Sequence, residues 1–162
     1  VFKLDKAWNF ITLPYMPSNL TAEALANNIS YCIEVKMYNA TAQQFVSHIK
    51  GSPSNNFNVM AGVGYLVYVT EETIFYINGS YAKNVTLNLV SGWNSIGRFN
   101  STVIKAGQLA RDIPYCSAIA YWNSSKWRFE MHAVGTGIAD FDMQRAAGYL
   151  VYVTQATTWT NK

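Results

Sequence analysis

Charge is what this chain has least of. Asp, Glu, Lys and Arg make up 13% of its 162 residues, against about 25% in an average soluble domain. The excess of positive charge is only +3, too weak a field to hold nucleic acid. Carboxylates number nine, which leaves little material for acid–base pairs. No apolar run approaches the roughly 20 residues of a membrane-spanning helix. No signal peptide is present, and the chain begins at Val1 rather than Met. It therefore reads as a mature, processed product. Also missing are the G-x-S-x-G elbow, the P-loop, G-x-G-x-x-G and H-E-x-x-H. The expectation is a chain with no catalytic, cofactor-binding or metal-binding residues, and no enzymatic activity.

What is present is apolar and repetitive. Half of the residues are hydrophobic and 15% are aromatic, ample for a packed core. The phrase G-Y-L-V-Y-V-T stands at residues 64–70 and again at 148–154, 84 positions apart. At the same offset Tyr31-Cys32 meets Tyr115-Cys116, Tyr38-Asn39 meets Trp122-Asn123, Phe45 meets Phe129, His48 meets His132, and Phe57 meets Phe141. Upstream, Trp8-Asn9-x-Ile11 meets Trp93-Asn94-x-Ile96 at an offset of 85. Such ordered matching marks an internal duplication, with repeat domains at 1–80 and 81–162.

Each repeat opens on a strand that leads through a Trp-Asn turn into a second strand, Phe10–Leu13 or Ser95–Phe99, and carries one helical stripe and further strand-like runs. Ala22, Leu25, Ala26 and Ile29, and their copies Ala106, Leu109, Ala110 and Ile113, follow i, i+3, i+4, i+7 spacing. That places them on one face of an amphipathic helix, which Pro114 stops in the second copy. Two strands around a polar turn follow: Cys32–Tyr38 with Gln44–Ile49, and Cys116–Trp122 with Trp127–Val134. The repeated phrase then supplies a strand apolar on both faces, as for a central strand covered on both sides. Its glycines, Gly64 and Gly148, suit close backbone approach. Thr73–Ile77 and Thr157–Thr160 can pair back as closing strands. The prediction is an α+β, β-rich fold of two tandem units, each a mainly antiparallel sheet with one helix.

Asparagine points to a compartment. Seven N-x-S/T sequons stand at Asn19, Asn28, Asn39, Asn78, Asn84, Asn100 and Asn123. With 24 Ser and Thr in 162 residues, fifteen Asn would give about two by chance. Such sequons are acceptor sites for N-linked glycans in secreted chains. A sugar coat also accounts for the shortage of surface charge.

The remaining candidates are few. Asp140 and Asp142 flank Phe141 and align with Asn56 and Asn58. They admit a hydrolase pair or an oxygen-ligand calcium loop, against the plainer reading of a solvated loop. His48 and His132 are equivalent and can meet across a pseudo-dyad at a metal, or sit hydrogen-bonded in their sheets. Cys32 and Cys116 occupy the same place in each repeat. Three readings stay open: a bridge between them, a bridge between subunits, or free thiols. Alternation puts Ile33, Val35 and Met37 on the core side of their strand, and Cys32 on the other side with Glu34, Lys36 and Tyr38. Tyr38, Trp122, Trp127 and Trp159 lie near turns or edges, where rings stack on sugars, line interfaces, or complete a core.

The order Trp-Asn-x-Ile, Ala/Leu helix, aromatic hairpin and Gly-Tyr-x-Val-Tyr-Val resembles a module repeated in secreted surface proteins of archaea, methanogens especially. The resemblance covers nearly the whole chain, twice. It departs at Ala7, where Gly precedes the Trp, and at Leu66 and Leu150, where Trp is frequent. It implies a part of an envelope, sheath or adhesive protein without enzymatic activity. The expected function is a structural subunit of an extracellular, cell-surface assembly (sheath, surface layer or filament), partnered by copies of itself. Terminal strands Phe2–Leu4 and Thr157–Thr160 offer strand addition. The alternatives are a secreted carbohydrate-binding or adhesion module using Tyr38, Trp122 and Trp127, and a secreted hydrolase using Asp140 and Asp142.

Overall fold

The computed structural model describes residues 1–16 and 18–162. The first half runs β1 (Phe2–Leu4), β2 (Ala7–Thr12), β3 (Tyr15–Met16), α1 (Ala22–Asn28), β4 (Cys32–Asn39), β5 (Gln44–Ile49), β6 (Gly64–Val69), β7 (Thr73–Phe75) and β8 (Ser80–Tyr81). The second runs β9 (Val85–Leu89), β10 (Gly92–Gly97), β11 (Ile104–Lys105), α2 (Ala106–Asp112), β12 (Cys116–Asn123), β13 (Arg128–Ala133), β14 (Asp142–Met143), β15 (Gly148–Val153) and β16 (Thr157–Asn161). The protein is α+β and β-rich, and every strand pair is antiparallel.

Two four-stranded sheets dominate, ordered β2-β6-β4-β5 and β10-β15-β12-β13. The strands holding G-Y-L-V-Y-V are interior to both. On one face of β6, Tyr65, Val67 and Val69 pack under Leu25, Ala26 and Ile29 of the α1 segment. On the matching face of β15, Tyr149, Val151 and Val153 pack under Leu109, Ala110 and Ile113. Leu66 and Leu150 point the other way, into a third cluster with Phe10 and Ala120. That cluster lies between the two sheets, so the layers run helix, sheet, sheet, helix. The alternation of the repeated phrase is filled on both sides, as a doubly covered strand requires. The closing strands form two-stranded pairs, β1 with β7 and β9 with β16.

Trp-Asn does not make a turn; it lies inside β2 and β10. The Asn amides secure the turns that precede these strands. Asn9 Oδ1 accepts from Asp5 N–H at 3.0 Å, and its Nδ2 donates to the Asp5 carbonyl at 2.8 Å. Asn94 repeats this with Val90 at 2.9 and 2.8 Å. Two residues before each Asn the backbone is left-handed, with φ of 86° at Ala7 and 102° at Gly92. Such φ favours glycine, so the Ala7 departure falls at a strained place.

The halves meet through backbone. Gly64 and Gly148 are so close that a Cβ on Gly64 would lie 2.9 Å from Gly148 Cα. Ser95 Oγ accepts from Gly64 N–H at 3.0 Å and donates to its carbonyl at 2.8 Å. Gly97 N–H reaches Gly62 O, and Thr12 N–H reaches Ala146 O, each at 2.8 Å. Aromatic rings then fill the gap between sheets. Phe45 and Phe129 stack at 6.0 Å, and Phe10 meets Phe129 edge-on at 5.5 Å. No helix among the described residues is long and apolar enough to cross a membrane.

Candidate functional site

Each half buries one histidine beside a carboxylate at the start of its helix. His48 is fully buried, with Nε2 2.8 Å from Glu23 Oε2 and Nδ1 2.9 Å from the Ser54 carbonyl. Gly51 N–H donates to the same Glu23 oxygen at 2.9 Å. That hydrogen bond, followed by the one with His48, holds the Glu23 pKa below its ordinary value. The Asn56 side-chain oxygen accepts from Glu23 N–H at 2.9 Å. In the second half, His132 Nδ1 contacts Ile138 O at 2.8 Å and Nε2 lies 4.0 Å from Asp140 Oδ1. Asp140 Oδ1 accepts from Gly107 N–H at 2.8 Å.

The carboxylate has changed place between the halves. At the helix position Glu23 aligns with Gly107; at the loop position Asn56 aligns with Asp140. A side chain on Gly107 would crowd His132 Nε2 at 3.1 Å and Asp140 Oδ2 at 3.2 Å. One half anchors its loop with helix carboxylate plus loop amide, the other with loop carboxylate alone. Each histidine is occupied within its own half, and the pair does not converge on one point. Among the described residues, no three His, Cys, Asp or Glu side chains form a metal-holding group.

Asp140 and Asp142 are taken up separately. Asp140 serves Gly107 and His132, while Asp142 pairs with Lys105 at 2.9 Å. Neither is left free as the partner of the other.

The cysteines require a correction. They are free thiols and not near each other, so the intramolecular bridge is excluded. Cys32 also faces inward, contrary to the alternation argument. The ladder with β6 runs Cys32↔Val69 and then Glu34↔Tyr68, so Ile33 is an extra, bulged residue. A bulge shifts the alternation by one. Cys32 and Val35 therefore share the buried face, while Ile33 is 46% exposed. The second half repeats the bulge between Cys116 and Ala118. Burial pushes both thiols up to about 11. Each Sγ donates to a carbonyl two residues on, Glu34 O and Ala118 O. Cys32 is buried and Cys116 half-buried, and thiols held in the protonated form are poorly placed to cross-link subunits.

The four aromatic candidates separate. Tyr38 and Trp122 are half-buried against the cluster between the sheets, and Trp122 Nε1–H donates to Trp8 O at 3.0 Å. Trp159 is 8% exposed, inside the second helix–sheet core. Trp127 alone stands out, 63% exposed at the β12–β13 turn, with φ 54°. Tyr38 and Trp122 thus share one cluster, while Trp159 belongs to another core and Trp127 to the surface.

The sequons Asn19, Asn28, Asn78, Asn84 and Asn100 are exposed, and Asn39 and Asn123 are half-buried in equivalent hairpin turns. Asn39 Oδ1 accepts from Ala42 N–H at 3.0 Å. The Asn123 amide nitrogen donates to Glu130 Oε2 at 3.1 Å. Glu130 is held well below the usual carboxylate range by hydrogen bonds from Lys126, Tyr121 and Asn123. A glycan on Asn123 would compete with that network; Asn19, Asn28, Asn78 and Asn84 carry no such conflict, whereas Asn100 lines a cavity that a glycan there would crowd.

One residue escaped the sequence reading. Arg98 aligns with Leu13 when the offset of 85 is carried past the Trp-Asn motif. Leu13 is 1% exposed and Arg98 is 4% exposed. A charge thus stands where the other half has a core leucine. Its Nη1 donates to Met143 O at a long 3.4 Å. None of the ion pairs among the described residues includes it. Burial lowers its pKa. It lines a cavity of about 580 Å³ with Asn100, Asp112, Thr158, Trp159 and Thr160. Comparison with family models, curated proteins and solved structures gives no match for this chain.

Proposed function

We propose that this chain is a self-associating structural subunit of an extracellular surface assembly, in the manner of the archaeal surface proteins it resembles. The observation that carries the reading is the β5 edge. Among the described residues no strand pairs with the outer side of β5, where Asn55 Nδ2 donates to the Ser47 carbonyl at 3.1 Å. Its sequence, Q-F-V-S-H-I, holds no acid, lysine, arginine or proline, and Ile49 is 60% exposed. Soluble sheets blunt such edges with charge, proline or cover. The equivalent edge, β13, carries Arg128 and Glu130 in an ion-paired cluster. Two unlike edges on one body favour a head-to-tail contact, β5 of one copy against β13 of the next. A heterologous contact of that kind closes into a ring or, where its rotation does not close, continues as an open polymer. Exposed sequons and low charge suit an outer surface whose solubility comes from glycans.

The test is sedimentation and negative-stain electron microscopy of the glycosylated chain at neutral pH. Large particles or filaments are expected, and Ile49→Lys should shift the population to monomers. Monomers at every concentration and salt condition would defeat the reading. The carbohydrate-binding alternative gains support from the Arg98 cavity rather than from the aromatic rings.

A further inference from the structure

Arg98 is costly where it stands. Its guanidinium makes one long hydrogen bond, and since no buried side-chain nitrogen among the described residues is left without a partner, its other nitrogens face the cavity, at the desolvation cost that partial burial imposes. The fold does not require the charge, because Leu13 fills the matching place in the first half at 1% exposure. A cation that packing does not need, lining an open cavity and, among the described residues, in no ion pair although Asp112 lines the same cavity, is arranged for an anion from outside. The planar fork of guanidinium matches a carboxylate in a bidentate way.

The surroundings narrow the ligand. Asp112 and Lys162 both line the cavity and are both exposed, so their charges offset each other. Arg98 is the one buried charge in the lining, and its planar fork matches a carboxylate. Asp112 accepts hydrogen bonds and so favours hydroxyl donors, while Asn100, Thr158 and Thr160 can donate or accept, the Thr160 hydroxyl already sharing a hydrogen bond with that of Thr86 at 2.9 Å. A volume of about 580 Å³ falls within the roughly 300–1,000 Å³ of small-molecule sites and greatly exceeds a bare inorganic ion. Ile104, Leu109 and Pro114 supply apolar wall for the C–H face of a ring.

We propose that this cavity binds a sugar acid of the uronate class, its carboxylate paired with Arg98 and its hydroxyls with Asp112, Asn100 and Thr160. The inference stands apart from self-association. Loss of uronate binding leaves assembly untouched, and a monomeric protein can still bind.

The experiment is titration of the whole chain with D-glucuronate, followed by ¹H–¹⁵N spectra of the Arg98 Nε–H and Trp159 indole N–H. Saturable shifts of both are expected with glucuronate. D-glucose and the methyl ester of glucuronate, which lack the charge, should leave them in place. Arg98→Leu restores the residue of the first half and so keeps the fold, which melting checks. It should weaken glucuronate binding by about tenfold or more, as the loss of a charged hydrogen-bond pair implies. Arg98→Lys should weaken binding to a lesser degree, since the charge stays but the fork is lost. An oligosaccharide ending in glucuronate distinguishes the source: equal binding identifies a glycan end, and binding of the free acid alone identifies a small metabolite. The proposal is overturned if glucuronate causes no saturable shift, if inorganic phosphate binds as tightly, or if Arg98→Leu responds like the wild type.

Discussion

A single methyl group at Gly64 tests how the two halves are joined. In Gly64→Ala the new Cβ would lie 2.9 Å from Gly148 Cα and 2.9 Å from two carbons of the Phe10 ring. Comfortable carbon contacts begin near 3.5 Å, so something must open by about 0.5 Å or more. Strand β6 cannot yield sideways, because β2 and β4 hold it on either edge. The sheets must instead part, which loosens Leu66, Leu150 and the rings around Phe129. Overpacking of this kind costs about 1–3 kcal/mol. Against it, alanine is favoured over glycine in a strand by about 0.5–1 kcal/mol through the unfolded chain. The net loss centres on about 1 kcal/mol, or about 2–4 °C in Tm for a domain of this size. Thermal melting followed by circular dichroism measures it. The double variant with Gly148→Ala should lose less than the sum of the two single changes, because the second methyl enters a gap already opened. An unchanged or raised Tm in Gly64→Ala would mean that the sheets do not touch here, and the four-layer packing would fall with it.

The other expectations are independent of that seam. With thiol pKa values near 11 instead of 9, Cys32 and Cys116 hold about a hundredfold less thiolate at pH 8 and should react correspondingly slowly with iodoacetamide; rapid alkylation of the native protein, or a mobility change on reduction, would contradict the inward placement. Glu23 has a lowered folded pKa, so its stabilisation is fully present above its ordinary value of 4.5 and is lost as pH falls through the folded value. The Tm gap between wild type and Glu23→Gln should therefore be widest above pH 4.5 and close in acid, and a gap independent of pH would refute the carboxylate's role. Trp159→Ala, at 8% exposure, should cost about 3–5 kcal/mol in urea unfolding. Trp127→Ala, at 63% exposure, should stay within about 0.5 kcal/mol; equal effects would show the two rings misplaced.

Much of the local structure was legible. The i, i+3, i+4, i+7 stripe on Ala22, Leu25, Ala26 and Ile29 gave α1, although Ile29 itself caps the helix instead of continuing it. The strands of both hairpins fell where alternation put them. Trp-Asn was misread as a turn because the amide that secures the turn lies two residues beyond the left-handed residue, inside the strand. The cysteines were placed on the wrong face because one bulged residue reverses alternation, and a bulge leaves no mark in residue types. Arg98 was within reach: extending the Trp-Asn alignment by two further residues sets it opposite Leu13.

The sequence by itself determined what each segment is, since helix and strand periods are written in nearest neighbours. It determined the recurrence of G-Y-L-V-Y-V-T, the doubly apolar strand that phrase forms and the shortage of charge. Only the tertiary structure decided which way these pieces face. The meeting of Gly64 with Gly148, the burial of Phe45 against Phe129 and the solitary charge of Arg98 all depend on contacts between residues far apart in the chain. Such contacts follow from the fit of two surfaces, and no local pattern encodes that fit.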